Sequence, residues 1–485
     1  MIGSGFGGAV ASLRLGMRGM ETVVLERGRR WRITDAGDTF CTKESPDGRS
    51  TWLSNTTIFP PPVPASSIDV FTGVFDRKIG TGITAFHGAG VGGGSLVYGG
   101  ITYQPQEELF YRVFPRSISY EELDRVYFPR VRKLLNATPI PDDILETDAY
   151  LSSRILLKQA AAAGLKAVKP PMAIDWDIVR KEIKGRKVPS IINGEIYYGT
   201  NSGAKNSVDH NYLRLAEETG FVEIHPLHMV TSIEEADRGK FRVICNHINE
   251  QGAVLAQKTF VCSYLFLAAG SIGTPELLLR AQSHGTLRNL NGAVGKVWGP
   301  SADSESILSF PSDTNPTLGS PGVVSIEDFS NPFAPITIQP FQAIPFVPQG
   351  FTPLLGQGIS KPEGYLTYNK KTQSADLFWP TNTEQGQKNA QAIQHTLDRI
   401  DKANGTSVIS PADFTSTAHP LGGAVMNAVC SEHGEVFGYR NLFVVDGSLI
   451  PGSTAAVNPS LTIAALAERS MEHILDNSRH NYRPG

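Results

Sequence analysis

Apolar residues recur along this chain in two different periods. Near the N-terminus, Glu21-Thr-Val-Val-Leu-Glu26 sets an apolar run between acids and predicts a strand, and Ala9 to Arg18 before it predicts a helix. Helical spacing returns at Ser119–Leu135, Ser152–Ala163 and Asp209–Thr219. Over residues 222–267 apolar and polar positions alternate in several runs, as in an antiparallel meander. Tyr264-Leu-Phe-Leu-Ala-Ala-Gly270 is apolar throughout and predicts a buried parallel strand, with a helix to follow over Pro275–Ala281. Residues 300–380 are rich in Pro, Phe and Ile with few charges, which suits an apolar sheet. The C-terminal stretch returns to compact α/β character. Residues 29–85 read as irregular and contain the breaker cluster Pro60-Pro-Pro-Val-Pro64. So long a structureless run predicts a lid or an excursion across another domain.

The first strand and helix enclose a motif, Gly3-x-Gly5-x-x-Gly8, with Glu26 about 20 residues on. This is the fingerprint of a dinucleotide-binding turn. Gly3 permits the tight turn, Gly5 lets backbone approach a pyrophosphate, and Gly8 lets the helix pack on the sheet. The helix N-terminus then points its N–H groups at the phosphates. Glu26 suits a ribose 2′-hydroxyl and would repel a phosphate there, which argues against NADP. Only Met1 and Ile2 precede Gly3, so the first strand is expected either to be unusually short or to have lost upstream residues, and localisation stays undecided.

Composition narrows the partners. The 485 residues can bury a large core, and two intimately joined domains are expected. Lys plus Arg total 44 against 47 Asp plus Glu, a net charge of −3, and no basic tract interleaves with aromatics, so nucleic acid is not an expected partner. No apolar run approaches the roughly 18 residues of a membrane span. The four cysteines, Cys41, Cys245, Cys262 and Cys430, are scattered without a C-x-x-C pair, and no metal site is expected.

A second glycine-dense loop follows the irregular region: Phe86-His-Gly-Ala-Gly90-Val-Gly92-Gly93-Gly94-Ser95-Leu-Val-Tyr98-Gly-Gly100. No amphipathic helix follows it directly, so it is not a second dinucleotide turn. Glycines this dense let backbone amides lie against a flat or anionic ligand. In the C-terminal block a strand ends in Asp446-Gly447, and Asn458-Pro459 opens an apolar helix. That helix start is a cap by itself and could also face a flavin edge where negative charge develops.

Together with Phe266-Leu-Ala-Ala-Gly-Ser-Ile-Gly and His419-Pro-Leu-Gly-Gly, these blocks fall in an order that resembles the glucose–methanol–choline (GMC) oxidoreductases, in particular bacterial sterol-oxidising members with non-covalent FAD. The resemblance spans nearly the whole chain. It implies an α/β fold: a Rossmann-like FAD-binding domain with a discontinuous α+β substrate domain built on an antiparallel sheet. The FAD-binding domain would comprise 1–30, 80–118, 225–297 and 434–485, and the substrate domain 31–79, 119–224 and 298–433. The resemblance further implies contacts to FAD from Gly3, Gly5, Gly8, Glu26, Asp446, Gly447, Asn458 and Pro459. It places Val230 near the adenine and Gly90, Gly92, Gly93, Gly94 and Ser95 over the isoalloxazine.

It also implies His419 and Asn458 as the active-site pair. Moving a hydride to a flavin requires the hydroxyl proton to leave, which a His can accept while an amide fixes the oxygen. The expected reaction is oxidation of a hydrophobic, sterol-like secondary alcohol, with oxygen or another acceptor taking the electrons. Two departures stand out. Gln339 occupies the position of the glutamate that isomerises the steroid product, and no Asp or Glu occurs from Phe329 to Pro362, so isomerisation is expected to be weak or absent. Tyr98 replaces an asparagine, so the flavin contact there must differ. Some members attach FAD through a histidine near His87; a polar or packing role is expected for it here. Phe333, Phe341, Phe346 and Phe351 suit either a greasy pocket or ordinary core. A lyase or isomerase keeping FAD as scaffold is the alternative, and a lapsed flavoprotein that only binds is a third reading.

Overall fold

The computed structural model describes residues 1–58, 65–342, 345–409 and 416–481. The cluster Pro60–Pro64 lies outside the described residues. The nucleotide-side sheet runs Val222–His225, Thr22–Leu25, Ile2, Leu265–Leu267 and Leu442–Val444, all parallel, and Phe443 also bridges Glu435 in the antiparallel sense. Ile2 stands in the place of the first strand. Ile2 alone bridges both Leu25 and Leu267, and the amides of Ile2 and Gly3 donate to Phe266 and Leu25. Val24, Leu25, Leu265, Phe266, Leu267, Leu442 and Val444 are buried, as strands covered on both faces must be. The helix Phe6–Met17 lies on this sheet and packs against the C-terminal helix Ser460–Asn481.

The alternating stretch 222–267 divides. Val222–His225 is parallel to Thr22–Leu25 and belongs to the nucleotide sheet; only His228–Glu235, Phe241–Ile248 and Val254–Cys262 form the antiparallel meander. Alternation reports a half-covered face and is blind to the direction of the neighbouring strand. The helix expected over Pro275–Ala281 runs Gly270–His284, because it starts directly from the strand end. Nor is 29–85 irregular throughout. Thr51 and Trp52 bridge to Phe75 and Phe71, and Phe75–Ile79 forms a hairpin with Thr84–Gly88.

A second sheet has six antiparallel strands in the order Ser407–Ile409, Ser304–Ser309, Phe351–Gln357, Ile336–Pro340, Ser325–Asp328 and Lys166–Val168. One face is covered by the helices Leu151–Ala162 and Glu384–Asn404, which bury Ile336 and Ile338 with Ile393 and Leu397. The other face, carrying Gln339, is turned toward the nucleotide side. Glu384–Asn404 escapes a sequence reading because its buried Ala392, Ile393, Leu397 and Ile400 are embedded among Gln, Asn and His. Its ends are nonetheless conventional: Thr383 caps Gly386, and Gly405 closes it in the left-handed region. In the helical stretch Tyr120–Leu134, Ser119 accepts from the Glu122 amide, and the turn Leu123–Tyr127 widens to a π-helix. Pro129 has no N–H to offer the preceding turn, which accounts for the widening.

No helix among the described residues is long and apolar enough to cross a membrane. The N- and C-terminal helices are locked by Glu468, whose side chain is fully buried. Its carboxylate takes a two-pronged pair from Arg14 (both 2.7 Å), a bond from the Tyr212 hydroxyl (3.0 Å) and a longer one from Arg130. Glu468→Gln leaves the Arg14 charge without a counter-ion. It is expected to cost about 3 kcal/mol of stability in denaturant unfolding; an unchanged midpoint would show that the pair is dispensable.

Candidate active site

The Gly3–Gly8 turn meets the ends of neighbouring strands with no room for side chains. A Cβ on Gly3 would stand 2.3 Å from the Ala268 carbonyl oxygen, and one on Gly7 only 1.8 Å from that of Val445. Gly7, which the spacing rule passes over, is thus as constrained as the motif glycines. Gly8 packs on Gly3 and Ala268, in its expected role. The turn presents the N-terminus of Phe6–Met17, which no side chain caps, to a cavity of about 510 Å³. The cavity runs from Glu26, Met229 and Val230, past Gly3, Gly5, Gly93 and Gly94, to His419 and Asn458. A Cβ on Gly94 would meet nothing within 4 Å, so this face of the loop is open to a ligand.

Several predicted residues shape the cavity from behind instead of lining it. Gly8, Gly90, Gly92 and Ser95 are in this group. The Ser4 hydroxyl accepts from the Gly92 amide and stands 3.2 Å from the Gly90 carbonyl, while Ser95 donates to Gly92 and accepts from Val208. The second glycine loop is therefore packed, with only a four-residue 3₁₀ turn, Gly93–Leu96. Tyr98 lines the cavity, stacks edge-on against Phe6 at 5.3 Å and donates to the Asn206 carbonyl.

Glu26 is buried, with Oε2 accepting from the Ser4 amide (3.1 Å) and hydroxyl (2.6 Å) and Oε1 from the Gly28 amide (2.9 Å). One acceptor direction remains on Oε1 for a ribose hydroxyl. Asp446 is similarly occupied. It accepts from the Gly270 amide, the Thr274 hydroxyl and both the amide and hydroxyl of Ser448, and so pins the loops that bring Gly447, Asn458 and Pro459 to the cavity wall. Burial pushes its carboxyl above the usual range, against these donors. The uncapped helix start, the open face at Gly94 and the spare Glu26 acceptor together fit an extended dinucleotide.

At the other end, short strand pairs deliver the candidate groups. Ser416–Thr417 lies parallel to Thr84–Ala85, and Leu421–Gly422 lies antiparallel to Trp298–Gly299. Continuing that second register sets Asp303 beside Thr417 and His419. Asp303 Oδ1 is 2.7 Å from His419 Nδ1, and its Oδ2 accepts from the Thr417 hydroxyl (2.8 Å) and the Ala418 amide (3.1 Å). With both its oxygens accepting, Asp303 is the acceptor for His419 as well, and the imidazole proton is assigned to Nδ1. The Gln357 amide nitrogen donates to the same Oδ1 at 3.3 Å, so its 3.1 Å approach to Nδ1 is packing. His419 Nε2 is then bare, and it stands 3.5 Å from Asn458 Nδ2. Asn458 Oδ1 accepts from Gln339 Nε2 at 3.0 Å. The predicted trio His419, Asn458 and Gln339 is thus brought together.

Asp303 is absent from the sequence reading. Its signal was faint: Asp303-Ser-Glu305 is an acidic pair in a charge-poor stretch, and both acids line the cavity. Ser301 and Ala302 just before it hold positive φ of 55°, a strained approach of the kind stored at functional sites. His87 lines the cavity with Nε2 3.3 Å from Asp76 and Nδ1 buried without a partner. Although burial opposes it, Arg27 and His87 hold the Asp76 carboxyl well below the usual range.

The four-phenylalanine pocket needs correction. Phe341, two residues beyond Gln339 and on the same face, lines the cavity; Phe351 does not, and Phe333 and Phe346 are 45% and 71% exposed in loops. Strand alternation and loop placement disperse the other three. Further aromatic lining comes from Phe6, Phe75, Phe86 and Tyr197.

Residues 363–467 match the model of the GMC oxidoreductase family. A cholesterol oxidase of Mycobacterium tuberculosis (strain CDC 1551 / Oshkosh) is 26% identical over 97% of this chain and 89% of its own length. One of Acinetobacter baumannii is 25% identical over 98% and 93%. The crystal structure of pyridoxine 4-oxidase from Mesorbium loti has the same fold, with a TM-score of 0.65 at 15% identity over 99% of both chains. The C-terminal match, the near full-length relatives and the shared fold point the same way: the chain is similar to the GMC oxidoreductases.

Proposed function

We propose that this chain oxidises a secondary alcohol with a largely apolar body to the ketone. The observation that carries this reading is His419, with Nδ1 held by buried Asp303 and Nε2 bare beside Asn458, at the end of a cavity that begins at a dinucleotide turn. FAD, the cofactor that the likeness to GMC oxidoreductases implies, would supply the hydride acceptor when bound. Gly3, Gly5, Glu26, Val230, Gly94 and Pro459 would hold it, in a domain of 1–30, 80–118, 225–297 and 434–485, with the remaining residues forming the substrate domain.

The substrate hydroxyl would lie between His419 Nε2 and Asn458 Nδ2. Asn458 donates to the oxygen, and His419 takes the proton as the carbonyl forms. Asp303 stabilises the imidazolium and fixes the ring tautomer, which makes it a positioning residue. Gln339 steers Asn458 by holding its Oδ1. The cholesterol oxidases among the relatives make a sterol the first alcohol to try and oxygen the first acceptor. Gln339 cannot carry a proton between carbons as a carboxylate can, so isomerisation through that position would be weak or absent. His87 keeps a packing and ion-pair role, with non-covalent FAD.

Anaerobic mixing of the holoenzyme with a 3β-hydroxy-5-ene sterol is expected to bleach the flavin band and give unisomerised ketone. Fully isomerised product would defeat the Gln339 argument, and no bleaching would reject this sterol. Consumption of an alcohol with the flavin left oxidised would point to lyase chemistry instead. Asp303→Asn is expected to slow flavin reduction roughly 100-fold with the substrate KM little changed. The amide can turn its NH2 toward Nδ1 and so leave the imidazole proton on Nε2, the atom that has to accept the substrate proton. A rise in KM in step with the loss of rate, without rescue by Asp303→Glu, would make Asp303 merely structural. Acid precipitation is expected to release all flavin to the supernatant; yellow precipitate would establish a covalent link.

A further inference from the structure

Three histidines meet at the end of the cavity away from His419. His225 closes the strand Val222–His225, His228 opens the strand His228–Glu235, and His247 pairs with His228 across the meander. The His228 ring stacks on His247 at 4.7 Å between centroids and meets His225 edge-on at 5.2 Å. Phe260 packs on the same group, 5.8 Å from His225. His228 is 5% exposed and lines the cavity next to Met229 and Val230. Its Nδ1 lies 2.8 Å from the Pro226 carbonyl oxygen, which assigns the proton to that nitrogen, and its Nε2 is buried with no partner among the described residues.

The backbone ties this cluster to the carboxylate that has an acceptor to spare for a ribose. The Glu26 amide donates to the His225 carbonyl at 3.0 Å, and the His228 amide donates to the Glu26 carbonyl at 2.8 Å. Movement of either histidine backbone therefore moves Glu26 and the start of the strand that carries Val230. The charges nearby give the rings little support. Glu223 reaches His225 Nε2 at 2.9 Å but is largely exposed, and Glu26 turns its carboxylate to Ser4 and Gly28. Lys258 adds a positive charge from the neighbouring strand. The Cys245 thiol, across from Val230, is pushed up by burial with Lys258 opposing, and so stays neutral. A proton on His225 or His247 leaves nothing to offset a second one on His228, which touches both. Burial first, and then His247, His225 and Lys258, push the His228 pKa below its ordinary value, with the Pro226 carbonyl opposing.

We propose that this cluster makes cofactor retention pH-dependent: protonation of the packed imidazoles parts the strands around Glu26 and frees the adenosine end of a bound FAD. The inference rests on FAD occupying the cavity and is independent of which alcohol is oxidised. The direction follows from linkage. A histidine whose pKa is lowered in the packed state supports that state while neutral, and the support is lost as pH falls below the ordinary histidine range and through the lowered value. The packed cluster and the adenosine seat share one backbone, so protons and FAD compete.

The test follows FAD release from the holoenzyme, read as free flavin fluorescence after dilution into buffers between about pH 7.5 and about pH 5.5; across this range the dissociation constant is expected to rise about tenfold or more. His228→Asn keeps a donor for the Pro226 carbonyl but takes no charge, and His247→Phe keeps a stacked ring without one. In each the rise is expected to shrink to about threefold or less, with the thermal midpoint at neutral pH showing which variants are folded. Either variant alone is sufficient for the comparison. A flat profile in the unaltered protein would overturn the proposal. So would a rise that the folded variants keep in full, which would make Glu26 the titrating group. Purified protein without a flavin band would overturn it together with the cofactor reading, whereas failure of every alcohol to bleach a retained flavin would sink the oxidation reading alone.

Discussion

The backbone crossing at the N-terminal turn is the constraint on which the rest of the molecule depends. Gly3, Gly7 and Gly8 bring the first turn of a helix to within contact of Ala268 and Val445, and any side chain there would collide with main-chain atoms that cannot move independently. The contact joins three distant segments, the N-terminus, the strand at Leu265–Leu267 and the strand at Leu442–Val444, at their carboxyl ends. Ligands in open parallel sheets bind outside those ends. The same crossing therefore fixes where the cavity begins and which loops, at Gly270 and Gly447, form its walls.

Buried carboxylates then tie those segments together. Glu26 clamps Ser4 and Gly28, Asp446 clamps Gly270, Thr274 and Ser448, Asp303 clamps His419, Thr417 and Ala418, and Glu468 clamps Arg14 and Tyr212. Each gathers donors from elements far apart in sequence. An ionised carboxylate is tolerable in such surroundings only when several donors replace its water. Glu305, half-buried on the cavity wall, differs from these four in having no such set of donors among the described residues, and it shares a row with Gln339.

Local patterns in the chain carried much of the fold. The glycine turn, the helices near Ser119, Ser152 and Asp209 and the buried strand at Leu265 are each encoded within a few residues, by spacing, caps and β-branched runs. What was misread shows the limit of such patterns. Val222–His225 alternates like its meander neighbours yet pairs in parallel, since the partner strand Thr22–Leu25 lies two hundred residues away. The helix Glu384–Asn404 hides its narrow apolar stripe among amides. The four phenylalanines of 300–380 scattered because strand parity sends side chains to opposite faces, and only Phe341 had the parity of Gln339.

By itself, then, the sequence determined the dinucleotide turn, the glycine-dense loop and the pairing of His419 with Asn458 and Gln339 as candidates, because short motifs and their order along the chain are sufficient for these. Only the tertiary structure decided the partner of His419 and the neighbours of Gln339. Asp303 reaches the imidazole through a strand pair linking segments over a hundred residues apart, and Glu305 reaches the row of Gln339 through two strand registers. Neither relation leaves a local mark, since pairing across a sheet is set by hydrogen-bond register between strands and not by distance along the chain.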